Sequence, residues 1–221
     1  MFFPKTCVFC DTHLTQGEEV LCAVCRHKLP ITDFIDTPNN VVEKSFEGRT
    51  PIVAGTALLY FRKKGISQEL MHNLKYRNRQ DIGVFFGKWM GKQLKESTRF
   101  KGIEALVLVP LHPKKMKSRG YNQLTTFGEQ LSVELDIPII KEALRKKGEV
   151  RSQTKKNRLS RFEEISDSFE LYKTKSLVGK HVLLLDDVIT TGATLEACTN
   201  ELLKVKGVRV SIATMVVADS L

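Results

Sequence analysis

The stretch "HVLLLDDVITTGATLEACTNELLKVKGVRVSIATMVVA", His181 to Ala218, restricts the possible folds more than any other part of the chain. An aliphatic run ends in two adjacent aspartates; a threonine-rich loop, a segment of helical periodicity and a second apolar run follow. Short apolar strands interleaved with helices build a parallel sheet, because a strand without a polar face has to be covered on both sides. The same alternation runs upstream. "IVAGTALLYF" (52–61), "IEALVLVPL" (103–111) and "IPII" (137–140) read as strands. "ISQELMHNLKY" (66–76), "IGVFFGKWMGKQL" (82–94) and "YNQLTTFGEQLSVELD" (121–136) read as helices. Gly83, Gly87 and Gly91 recur every four residues and predict a smooth stripe where another backbone packs closely inside a soluble core.

In sheets of this kind ligands gather beyond the carboxyl ends of the strands, where Asp186 and Asp187 fall. Ionised carboxylates only accept hydrogen bonds, so the pair suits two neighbouring hydroxyl donors, and a nearby Mg²⁺ would offset its charge. Thr190, Thr191, Gly192, Ala193 and Thr194 supply hydroxyls, a flexible backbone and the start of a helix. Those are the parts of a phosphate cradle. Diol and phosphate together describe a phosphorylated ribose. The P-loop and dinucleotide glycine patterns are both missing from the chain.

A second strand end, "LVLVPLHPKKMKSRGYNQ", leads through Pro110 and Leu111 into a loop with His112, Lys114, Lys115, Lys117 and Arg119. Cations there would face the same crevice and suit a pyrophosphate leaving group. The formal charge of +10 favours a polyanionic partner without choosing between a metabolite and nucleic acid. Cys7, Cys10, Cys22 and Cys25 form two C-x-x-C pairs, whose four thiolates can converge on one Zn²⁺ as a compact ribbon with no open coordination position. Cys198 lies apart, and a place in the core is expected for it. No apolar run is long enough for a membrane helix, and "MFFPKTC" lacks the features of a signal peptide, so a cytoplasmic protein without membrane insertion is expected.

"VLLLDDVITTGAT" is similar to the phosphoribosyl pyrophosphate (PRPP) signature of type I phosphoribosyltransferases. A strand ending in Val-Pro, a basic loop and then Arg-Gly-aromatic-Asn-Gln closely resembles the ComF family, whose N-terminal C-x-x-C pairs this chain shares. The resemblance implies an α/β fold of the type I phosphoribosyltransferase class, a parallel sheet flanked by helices, with a small N-terminal zinc ribbon. It divides the chain into a four-cysteine module (1–30), a connector (31–51) and a phosphoribosyltransferase-like domain (52–221). Asp186 and Asp187 become the catalytic pair, with Mg²⁺ arriving beside PRPP. A mobile flap would carry Arg151, Gln153, Lys155, Arg158 and Arg161. Glu164, where an Asn is expected, and Tyr121, in place of the commoner Phe, depart from the family pattern. Two activities follow from the likeness: phosphoribosyl transfer to an acceptor that the sequence does not name, or binding of transforming single-stranded DNA alongside DNA-uptake proteins, with PRPP as a regulatory ligand or relic.

Overall fold

The structure, a computed structural model, describes residues 5–147 and 169–219. Four strands form one parallel sheet: β1 (Gly55–Phe61), β2 (Ala105–Leu108), β5 (His181–Ile189) and β6 (Arg209–Ala218), in the order β1-β6-β5-β2. A separate antiparallel pair joins β3 (Leu144–Lys146) to β4 (Phe169–Leu171). The two central strands of the large sheet explain the long apolar runs. Val182 to Leu185 and Ile212 to Val217 are almost wholly buried, with Thr214 the sole polar residue among them. As expected from the sequence, helices flank this sheet and an N-terminal cysteine cluster accompanies it.

The helices are α1 (Ala23–His27), α2 (Val41–Lys44), α3 (Ile66–Tyr76), α4 (Asp81–Glu96), α5 (Pro113–Arg119), α6 (Thr125–Leu135) and α7 (Ala193–Leu202). The glycine stripe of α4 lies against α6. A Cβ added at Gly87 would stand 2.6 Å from Gln130 Cβ and 2.9 Å from the Phe127 carbonyl oxygen. One at Gly91 would stand 2.5 Å from Glu134 Cβ. Gly87→Ala is therefore expected to destabilise the fold by about 1–3 kcal/mol, since overpacking against backbone outweighs the gain in helix propensity. Urea unfolding of the two proteins checks this; equal midpoints would mean that the seam yields freely.

Two segments differ from their sequence reading. "IPII" forms only one parallel bridge, Leu106 to Ile139, in which Leu106 N–H donates to the Pro138 carbonyl and Ile140 N–H to the Leu106 carbonyl. Pro138 has no N–H to extend a ladder. The basic loop is mostly the short helix α5, started by Pro113 and by the His112 ring, which accepts from Lys114 N–H, and stopped by Gly120 at φ +77°. The connector before β1 packs against the rest of the fold. Asn40 caps α2 and donates to the Gly55 carbonyl at 2.8 Å, Ile31 bridges to Leu59, and Phe46 is buried.

Candidate active site

The acid pair sits on the central strand β5, which continues two residues beyond it to Ile189 in register with β6. Hydrogen bonding along that neighbour fixes the backbone carrying both carboxylates. Asp187 is buried, and two side chains hold its Oδ2: Lys75 Nζ at 2.9 Å and Gln123 Nε2 at 2.8 Å. Lys75 comes from the last turn of α3, and Gln123 from just before α6. Asp187 N–H donates to Asp186 Oδ1 at 2.8 Å. Burial, and next the adjacent Asp187 carboxylate, push the Asp186 carboxyl up to about 8, against the opposing charges of Lys75 and Lys115. The ion pair of the site is the one between Lys75 and Asp187.

Gly192 follows β5 with φ +75°, a left-handed conformation that side chains resist, and begins α7. The turn brings the first amides of α7 to the strand end, where the helix dipole favours anions. Thr190 and Thr191 are exposed, Thr194 is half-buried, and Ala193 N–H reaches Thr191 Oγ1 at 3.4 Å. With Asp186 and Ile189 they line a small open pocket of about 30 Å³. Of the sequence-selected acid pair, Asp186 shares this crevice with the threonine loop, while Asp187 lies next to it in the chain and is buried.

Pro110, Leu111 and His112 lead from β2 into α5, on which Lys114 and Lys115 are exposed. The Lys115 charge is felt both at Asp186 and at Lys146, at the end of β3. Arg119 lies over the Tyr76 ring at 5.1 Å and donates to Gln123 Oε1 at 2.9 Å. A polar chain thus runs from the basic helix through Gln123 to the acid pair. Gln123 and Lys75 meet at Asp187 and were not selected by sequence reasoning; the quoted "RGYNQ" and "ISQELMHNLKY" stretches that contain them were the available signal. The five flap residues, Arg151, Gln153, Lys155, Arg158 and Arg161, lie outside the described residues.

At the N-terminus the sulfur atoms of Cys7, Cys10, Cys22 and Cys25 all lie within 4.8 Å of one another, with Cys10 and Cys22 at 3.6 Å. A tetrahedral ion with metal–sulfur bonds of about 2.3 Å separates its ligands by roughly 3.8 Å, so the four thiols fit one ion. Tight turns shape both halves: Asp11 N–H donates to the Cys7 carbonyl, and Arg26 N–H to the Cys22 carbonyl. Cys7, Cys22 and Cys25 are buried, and belong to the same apolar cluster as the sheet. Cys198 is fully buried on α7, as expected.

Residues 125–220 match the phosphoribosyl transferase domain family. Competence protein F of Haemophilus influenzae is 32% identical over 218 residues, covering 92% of this chain and 93% of that protein. Competence protein ComFC of Bacillus subtilis is 26% identical over 237 residues, covering 97% and 95%. DNA utilization protein YhgH of Escherichia coli is 26% identical over 138 residues, covering 61% and 60%. Among solved structures, an adenine phosphoribosyltransferase is 18% identical with a TM-score of 0.41, covering 69% of this chain and 75% of its own.

Proposed function

The chain belongs to the ComF family, and from that premise we propose that it binds Mg²⁺-PRPP at the crevice beside β5 and transfers its phosphoribosyl group to an acceptor, releasing pyrophosphate. The observation carrying this reading is the buried, doubly held Asp187 next to the helix-capped threonine loop. Asp186 and Asp187 take the ribose hydroxyls, and residues Thr190 to Thr194 take the 5-phosphate through helix amides and hydroxyls. Lys114, Lys115 and Arg119, with the backbone at Pro110 to His112, hold the pyrophosphate. Mg²⁺ supplies charge neutralisation for the leaving group when bound.

As the bond to pyrophosphate lengthens, positive charge develops on the ribose, and the acid pair stabilises it. Lys75 keeps the buried Asp187 in place without removing it from the crevice. Zn²⁺ is the ion we assign to the four cysteines, in a structural role, because a closed four-sulfur site leaves no position for substrate. Among the described residues no helix is long and apolar enough to cross a membrane; the cytoplasm, where PRPP would be met, is the proposed location.

Calorimetric titration with PRPP, with and without Mg²⁺, tests the proposal. Mg²⁺-dependent binding is the expected result. No binding would transfer weight to a second reading, single-stranded DNA bound in concert with DNA-uptake proteins. That reading is favoured by one surface: Tyr76 is 65% exposed, is backed by Arg119, and is followed by the exposed Arg77, a cationic stacking platform. Its signature is an affinity that falls with salt at a log slope of roughly −0.7 per phosphate contact.

A further inference from the structure

Residues 45–50 precede the stretch matching the phosphoribosyl transferase domain by a wide margin, yet they form the floor of the threonine loop. Arg49 Nη1 donates to the Ser45 carbonyl at 2.8 Å and to the Thr191 carbonyl at 3.0 Å. Its Nη2 pairs with Glu196 in the first turn of α7. Phe46, 1% exposed, supports Gly192, where an added Cβ would lie 3.4 Å from the ring. Thr50 Oγ1 and Asn200 Oδ1, 2.6 Å apart, tie the same segment further along α7.

These contacts have a directional consequence. In a trans peptide the carbonyl and the following N–H point opposite ways. Drawing the Thr191 carbonyl towards Arg49 therefore aims the Gly192 N–H away from it, out of the loop floor. Glu196 suits a helix N-terminus but adds negative charge close to where a phosphate would bind, and the guanidinium offsets that charge. We propose that Arg49 is a positioning residue for phosphate recognition, so that the segment before β1 is part of the site. This deepens the phosphoribosyl reading and rests on it.

The test compares the full-length chain with Arg49→Ala and Arg49→Lys. Ribose 5-phosphate and pyrophosphate are titrated separately by calorimetry, and amide deuterium exchange is followed over residues 190–195 without ligand. Arg49→Ala is expected to weaken ribose 5-phosphate about tenfold or more, to leave pyrophosphate within about twofold, and to speed exchange in the loop about tenfold. Arg49→Lys should fall between the two proteins, because an ammonium keeps the charge but not the fork. Unchanged ribose 5-phosphate affinity would overturn the proposal, as would equal loss of both anions together with a lowered melting temperature. If the native chain binds neither anion, the phosphoribosyl reading fails and the proposal falls with it, whereas anion binding by the native chain with unaltered loop exchange in Arg49→Ala would overturn the positioning role alone.

Discussion

Replacing Asp186 and Asp187 together by asparagine is expected to weaken Mg²⁺-PRPP binding by at least about a hundredfold, roughly 2.7 kcal/mol, while leaving DNA affinity nearly unchanged. Asparagine keeps the shape of both side chains but removes the charge that faces the ribose and balances Lys75. It also turns acceptor-only groups into groups that present donors to hydroxyl donors. The two changes have opposite effects on the fold. Loss of the Asp187 charge leaves Lys75 unpaired in a mostly buried place, whereas Asp186→Asn removes a carboxyl that burial already disfavours. The double variant should therefore remain folded, which circular dichroism verifies before titration. Normal PRPP affinity in a folded double variant would remove the crevice as the site.

The second large effect concerns the cysteines. Native protein is expected to carry one zinc per chain, and Cys22→Ser to lose most of it, by plasma emission measurement of purified samples. A closed four-thiolate site supplies folding free energy directly, on the order of 10 kcal/mol for small zinc modules. Removing one ligand should open the cluster and expose Val20, Leu21 and Leu29, which share the core of the sheet. Trypsin should then cut at Arg26 and Lys28 far faster than in the native chain. Cys198→Ala, altering a buried thiol remote from the cluster, should keep the zinc. Full metal content in Cys22→Ser would show that the four sulfurs do not act as one ligand set.

How much of this was legible in the sequence depended on whether the signal was local. β5 and β6 announced themselves because burial on both faces leaves no room for polar alternation, and the spacing of Gly83, Gly87 and Gly91 named a close contact without naming α6. The acid pair and the cysteines stood out for the same reason, each being dense in chemistry over a few residues. Lys75 and Gln123 did not, since what distinguishes them is a meeting with Asp187 that only the folded sheet creates. Arg49 and Phe46 were hidden in the connector, 31–51, whose sequence carries no motif of its own. α5 escaped because seven mostly polar and basic residues carry no apolar periodicity; its capping residues were the overlooked clue.

The glycine seam between α4 and α6 also fixes a length. Gly83 opens it at a point where even a methyl group would come within 2.1 Å of Thr126 Oγ1, three residues after Gln123. The start of α6 is thus set by how near α4 lets it come, and the reach of Gln123 to Asp187 is set with it. A hydrogen bond tolerates an error of only a few tenths of an ångström. The seam works as a gauge for the acid pair, and drift at its glycines would be registered as a misaligned carboxylate before it was registered as an unfolded protein.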